Sequence, residues 1–289
     1  MVRFYIRTDD VTGDTLKVTG ESFHYLKNVL RVRKGEELKA FDGTGKEYIC
    51  QVVKVHPRHI DLHITEIFDV DTEPLVEICL VQSLIKAKYF EFAVQKCTEL
   101  GVKKFIPVVT ERTVVRLEGK RAENRRLRWK KIAVEAAKQC GRSFYPEVEP
   151  VTGFENALKL AQTQDMSIIP WEEEAVLTLK KVLIQEFQSH SSNLTFPSPA
   201  SGEGRRKEIS IGKKNKPAVG RIQEVRGHLT EGDMPRKVAV FIGPEGGFSS
   251  REVSLAKKSG VIPVSLGPRL LRSETAAIAA AAVLIHELG

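Results

Sequence analysis

Hydrophobic and polar positions change rhythm once along the chain. Over roughly the first 70 residues, apolar and polar side chains alternate in short runs, Glu37-Leu38-Lys39-Ala40-Phe41, Tyr48-Ile49-Cys50-Gln51-Val52-Val53 and His59-Ile60-Asp61-Leu62-His63-Ile64. Turn signals at Lys34-Gly35, Asp42-Gly43-Thr44-Gly45 and His56-Pro57 separate these runs, a spacing that predicts a small β-barrel. Residues 22–33 lie ahead of them, with helical periodicity at first and a basic end made of Lys27, Arg31, Arg33 and Lys34. Past the polar stretch Asp69-Val70-Asp71-Thr72-Glu73-Pro74 the period switches. Residues 75–82 form a continuous apolar run, 86–100 an amphipathic helix stopped by Gly101, 104–109 a second strand, 120–140 a helix ending at Gly141, and 165–171 a third strand. Strand alternating with helix predicts a parallel sheet covered on its faces. With strands at 238–242 and 261–266 the second unit has five strands, which divides the chain into domains 1–72 and 73–289. Between about 188 and 236 the pattern dissolves into Ser, Pro, Gly and charge, the composition of an inserted surface loop.

The stretch 238–288 organises the second domain. Val238-Ala239-Val240-Phe241-Ile242 reads as a buried strand and runs into the loop Gly243-Pro244-Glu245-Gly246-Gly247-Phe248. Ser249 and Glu252 then stand in the S-x-x-E relation of a helix start. A second strand follows, then a second loop, Gly267-Pro268-Arg269-Leu270-Leu271-Arg272, and an alanine-dense helix from Ser273. Two successive strand-loop-helix units bring two loops to one edge of a parallel sheet, where open α/β folds bind ligands. The glycine offsets fit neither G-x-G-x-x-G nor a P-loop, so the loops suit a ligand met mainly by backbone groups. Gly246 and Gly247 permit close approach, and Glu245 offers an acceptor or a negative charge. A dehydrogenase would carry its glycine fingerprint after the first strand rather than near the end of the chain.

Phe241-Ile242-Gly243-Pro244-Glu245-Gly246-Gly247-Phe248-Ser249, followed by Leu266-Gly267-Pro268-Arg269-Leu270-Leu271-Arg272-Ser273-Glu274-Thr275-Ala276, closely resembles the RsmE family of 16S ribosomal RNA uridine N3-methyltransferases. Where Ser273 stands, that family usually has threonine, which also offers a hydroxyl. The resemblance implies an α/β fold of the SPOUT type, with a parallel sheet and a C-terminal trefoil knot, behind a PUA-like RNA-binding β-barrel. It also implies S-adenosylmethionine as methyl donor, 16S rRNA of the small ribosomal subunit as partner, a homodimer, a cytoplasmic setting, and neither a metal nor a membrane. The donor site so implied comprises Pro170, Gly243, Pro244, Glu245, Gly246, Gly247, Leu266, Gly267, Leu270, Leu271, Ser273 and Ala276. The insertion at 188–236 departs from the family, which makes that connection in far fewer residues. Lys138 also departs, standing where the family writes glutamate.

Chemistry narrows the remaining candidates. Methylating uridine N3 requires its proton to leave while the nitrogen attacks the sulfonium methyl in line, so a protein must orient two substrates and stabilise a developing anion. Arg112 falls just past a strand end and can meet phosphate or a carbonyl oxygen; Arg272 and Glu274 flank the start of the last helix, and these three are the catalytic candidates. Arg3, Lys27, Arg31, Arg33 and Arg142 are the candidate RNA contacts, although Arg142, beside a helix end, would equally suit capping carbonyls. Lys96 and Glu99, three apart, read as a surface pair.

Composition adjusts this picture little. The formal charge of +8 favours a polyanionic partner. Cys50, Cys79, Cys97 and Cys140 lie far apart with no C-x-x-C, which argues against a zinc site and a disulfide framework and for a reducing compartment. The N-terminus lacks the apolar core of a signal peptide, and residues 276–285 are apolar over only about half a membrane span.

Overall fold

A computed structural model describes residues 2–70, 72–191 and 237–289. The first sheet uses β1 (Val2–Tyr5), β2 (Val11–Thr12), β3 (Thr15–Val18), β4 (Glu37–Phe41), β5 (Lys46–Val55) and β6 (Ile60–Asp69), in the order β1-β4-β5-β6-β3-β2. Only β1 and β4 run parallel. Alternation does what it predicted: Ile60, Leu62 and Ile64 of β6 point inward with Leu38 and Ala40 of β4 and Cys50 and Val52 of β5, while the residues between them face out. The long β5–β6 ladder shifts register twice, at Ile49/Cys50 and Val52/Lys54, the kind of irregularity that bends and twists a sheet. The helical reading of residues 22–33 is only half realised. A short α1 (Gly20–His24) continues as a π-helical turn, Tyr25–Val29, and the chain then reverses through Arg31 at φ 54°.

The second sheet is wholly parallel. It comprises β7 (Glu77–Ser83), β8 (Lys104–Val109), β9 (Glu147–Val148), β10 (Thr152–Gly153), β11 (Met166–Pro170), β12 (Lys237–Ile242) and β13 (Ile262–Val264). Their order is β10-β8-β7-β12-β11-β13, with β9 alongside β8. The two-residue strands β9 and β10 raise the expected five strands to seven; each is too short to show a period. Strands buried on both faces read as unbroken apolar runs. Ile78 and Leu80 of β7, with Val238, Val240 and Ile242 of β12, enter one core; Cys79 and Val81, with Ala239 and Phe241, enter the other. The first core is closed by α2 (Ala87–Leu100), α3 (Gly119–Cys140), α5 (Leu179–Ser191) and α7 (Ser273–Leu288), the second by α4 (Phe154–Ala161) and α6 (Ser250–Lys258). Neither α4 nor α5 was marked by the periodicity read above. The expected insertion at 188–236 lies outside the described residues except at its start, where α5 continues to Ser191. Lys96 and Glu99 do pair, at 2.8 Å.

Contacts between the sheets use the turn at residues 42–45. Gly45 N donates to Ser143 O, and a Cβ on Gly45 would lie 2.4 Å from the Phe144 ring, so only glycine fits. Arg142 corrects an expectation. It is 5% exposed, donates through Nη1 to the carbonyls of Thr98 and Val102 at the end of α2, and pairs with Glu73, so its guanidinium is not presented to RNA. Carbonyls at the C-terminus of a helix have no partner within it, and a buried cation supplies one. Arg3 reaches the same junction. Its Nη2 donates to the Arg142 carbonyl at 3.1 Å, its Nε to Glu47 at 2.9 Å, and its guanidinium stacks over Phe41.

Glu47, 4% exposed, takes a second cation, Lys39, at 2.7 Å. Burial works to raise its proton affinity, but the bonds from Lys39 and Arg3 outweigh it and hold the carboxyl below the ordinary glutamate value of 4.5. A carboxyl depressed in the folded state stabilises above its unfolded value, and that contribution fades as pH falls through the folded one. Glu47→Gln is therefore expected to lower stability by roughly 1–3 kcal/mol at pH 7. Thermal unfolding followed by circular dichroism should also show a smaller further loss below about pH 4.5 in the variant than in the unsubstituted chain.

Candidate functional site

The carboxyl ends of β7, β11, β12 and β13 meet at one edge of the second sheet. Spatial order explains this: β12 enters between β7 and β11, reversing the outward progression β7, β8, β10, and such a reversal leaves a crevice at the strand ends. A cavity of about 570 Å³ occupies the crevice, within the range of small-molecule sites.

The loop after β12 is shaped by four contacts. Gly247 N donates to Pro244 O at 3.0 Å, closing a turn in which Gly247 sits at φ 67°, with its α-carbon face against the Glu172 carboxylate. Any side chain there would be strained in backbone and crowded in space. Arg112 Nη1 donates to Gly246 O at 2.8 Å, and Glu245 accepts from Lys86 N at the head of α2. Phe248, buried against Phe154, anchors the loop's far end. The Ser249–Glu252 capping box forms as read. Glu252 accepts from Ser249 N at 2.9 Å, and its other oxygen accepts from Glu111 N at 2.9 Å, tying the segment that carries Arg112 to the same helix start.

The second loop leaves β13 through Ser265, whose backbone pairs with Leu177 and Leu179, and reaches α7 at Arg272. Ser273 joins the two loops. Its hydroxyl donates to Gly243 O at 2.5 Å and accepts from Gln82 Nε2 at 2.9 Å, so one side chain ties the first loop, the last helix and the end of β7.

Of the residues expected to hold a donor, Pro170, Gly243, Pro244, Glu245, Gly247, Leu266, Gly267, Leu270, Leu271, Ser273 and Ala276 all line the cavity. Gly246 does not; its carbonyl is turned to Arg112. Arg272 and Glu274 line the cavity as well, Glu274 buried in the first turn of α7, whereas Arg112 stands outside and shapes the wall. Lys86, Tyr89, Trp171, Glu172, Ile242, Phe248, Ser265, Pro268 and Arg269 complete the lining outside the expected donor set. Trp171-Glu172 follow β11 directly, and their place at a strand end was the available signal.

The expected RNA contacts separate into two groups. Arg31 and Arg33 are exposed. Lys27, by contrast, spends its ammonium on the carbonyls of His56 and Pro57, and Arg3 and Arg142 serve the junction between the sheets. A second cavity, about 640 Å³, lies between β1 and α3 and shares no residue with the first; Arg3, Tyr5, Arg7, Tyr25, Lys138 and Gln139 are on its walls. It is larger than the crevice, but it lacks the convergence of strand ends and loops that marks a ligand site in this fold.

Removing the Ser273 hydroxyl leaves the Gln82 amide without its side-chain acceptor and the Gly243 carbonyl without a donor. Ser273→Ala should cost roughly 1–3 kcal/mol, read as a lower urea midpoint at unchanged slope, while Ser273→Thr, which keeps the hydroxyl, should retain most of that stability.

The geometry has counterparts among known proteins. A family model described as an RNA methyltransferase domain matches residues 71–196 and 213–285, and one described as an RNA methyltransferase PUA domain matches residues 18–65. The chain is 28% identical to the ribosomal RNA small subunit methyltransferase E of Bacillus subtilis, over 94% of its length and 90% of the relative's. It is 28% identical to the protein of that name from Aquifex aeolicus, over 92% of each. The crystal structure of a ribosomal RNA small subunit methyltransferase E from Neisseria gonorrhoeae bound to S-adenosyl methionine is similar, with a TM-score of 0.70 and 28% identity, covering 98% of this chain and 96% of that one. With the family model spanning the parallel sheet and both loops, the chain belongs to the RNA methyltransferase family, in its RsmE branch.

Proposed function

We propose that the chain transfers a methyl group from S-adenosylmethionine to N3 of a uridine in the 16S rRNA of the small ribosomal subunit. The observation that carries this reading is the cavity closed by both C-terminal loops and four strand ends, in a chain whose relatives are named as small-subunit ribosomal RNA methyltransferases. The residues present fit the donor. Gly267 has open space where a Cβ would stand, Trp171 Nε1 is buried with no hydrogen-bond partner among the described residues, and the wall mixes Leu266, Leu271 and Ala276 with Glu172, Glu245 and Glu274. Apolar walls suit an adenine ring, and acceptors suit the ribose and the cationic groups.

When bound, the donor supplies an activated methyl on a positive sulfur. The chain's own part is to orient and to exclude water. Ser273 holds the first loop at Gly243 and Arg112 holds it at Gly246, which sets where the donor lies. Arg272, exposed at the N-cap of α7 on the cavity wall, is placed to neutralise charge on a uracil carbonyl as the N3 proton leaves to solvent. Glu274, in the first turn of the same helix, gives the wall its buried negative charge. Arg31 and Arg33 on the first sheet supply phosphate contacts, and the cation- and tyrosine-lined cleft between β1 and α3 suits an unpaired nucleotide.

The finer architecture belongs to the same reading. After β13 the chain returns across the sheet, and α7 packs on α2 and β12, which supports reading the C-terminal segment as a trefoil knot. Ala277, Ala280 and Ala281 face the core, while Val283 on the outer side is 40% exposed, a surface for a second copy of the chain. The two sheets stand as a PUA-like barrel over 1–72 and a methyltransferase domain over 73–289, and a ribosomal substrate places the reaction in the cytoplasm. Among the described residues no helix is long and apolar enough to cross a membrane.

Incubating the protein with small subunits that lack the modification, in the presence of S-adenosylmethionine, should yield 3-methyluridine, identified by mass spectrometry of the digested rRNA. A methylated guanosine would overturn the assigned base, and no modified nucleoside at all would overturn the activity.

A further inference from the structure

The hairpin joining β5 to β6 gathers three metal-ligating side chains away from the cavity, on the other sheet. His56 N donates to His59 O at 2.9 Å across the turn, so the two histidines face each other as a cross-strand pair. Their rings stack with centroids 4.2 Å apart and 16° between planes. Asp61 lies two residues beyond His59, and the period of a strand returns its side chain to the same face. Its carboxylate meets both rings, Oδ2 at 2.9 Å from His56 Nε2 and Oδ1 at 3.4 Å from His59 Nε2.

We propose that His56, His59 and Asp61 bind a divalent transition-metal cation, with Zn²⁺ as the best match. Donor atoms about 2.0–2.2 Å from a tetrahedral zinc lie roughly 3.3 Å from one another. The observed separations of 2.9 and 3.4 Å bracket that figure, and all three ligand atoms fall within 4.8 Å of each other. Two imidazoles and one carboxylate form a borderline N/O set that suits zinc, nickel or copper(II) better than magnesium or calcium, which take all-oxygen shells. Binding requires both Nε2 atoms as acceptors, so each neutral ring carries its proton on Nδ1, and a proton held on Nε2 is exchanged to that position through solvent.

The surroundings favour a held site over a chance cluster. Lys27 Nζ donates to the carbonyls of His56 and Pro57, which clamps the turn from outside the hairpin. All three donors are part-exposed, the histidine side chains by about a quarter, so an ion can enter and its remaining coordination position faces water. Hydrogen bonding alone gives a weaker account, since closing the hairpin needs one histidine on the carboxylate and here two share it.

The test uses the full chain with Cys140→Ser, which removes the exposed thiol as a competing ligand. Titrating ZnCl₂ by calorimetry at pH 7.5 should show a site that His59→Ala and Asp61→Asn each weaken at least tenfold, while His63→Ala leaves it unchanged. Absence of zinc binding, or an affinity in the His59 and Asp61 variants equal to that of the unsubstituted hairpin, would overturn the proposal. Histidine side-chain ¹⁵N spectra of the protein without hairpin substitutions guard against misfolded variants. Zinc should move the His56 and His59 Nε2 resonances and spare His24 and His63; movement of His24 or His63 alone counts against the site.

Discussion

The hydroxyl of Ser273 stands between two loops that are distant in sequence, donating to the Gly243 carbonyl and accepting from the Gln82 amide. Each group it touches is buried or part-buried, and a buried polar group without a partner is costly. This contact couples the position of the last helix to the loop after β12 and to the end of β7. It adds a direct hydrogen bond between the two walls of the crevice to the packing of α7 on α2 and β12.

Around that hub, groups outside the cavity hold part of the first loop. Glu252 caps its own helix and, with its second oxygen, fixes the backbone at Glu111; the next residue, Arg112, then holds the Gly246 carbonyl. A carboxylate read only as a helix start thus also sets the wall of a site one strand away. Glu245, itself on the cavity wall, ties the first loop to the head of α2. Such indirect support is what a backbone-built site requires, because its shape is the shape of the loops.

Much of this was legible in the residues. Both cores follow the switch from alternating to continuous apolar runs, and the capping box at Ser249 forms as its spacing requires. The two loops meet because consecutive strand-loop-helix units must open at the same edge. What stayed hidden depends on long-range packing. β9 and β10 are two residues each, and no periodicity marks them. Arg142 looked like an RNA contact because its local sequence cannot reveal that the open end of α2 waits for it. Trp171 and Glu172 join the cavity only because β11 lies beside β13, an adjacency that no local pattern encodes. His56, His59 and Asp61 match no metal-binding spacing along the chain and converge only once the β5–β6 hairpin folds.

The central claim is that both loops close on one donor molecule. Hydrogen exchange measured with and without S-adenosylmethionine tests it most directly. Amides in residues 243–248 and 267–273 should slow together when the donor is added, with little change in the first sheet. Protection confined to one loop, or placed in the cleft between β1 and α3, would contradict it.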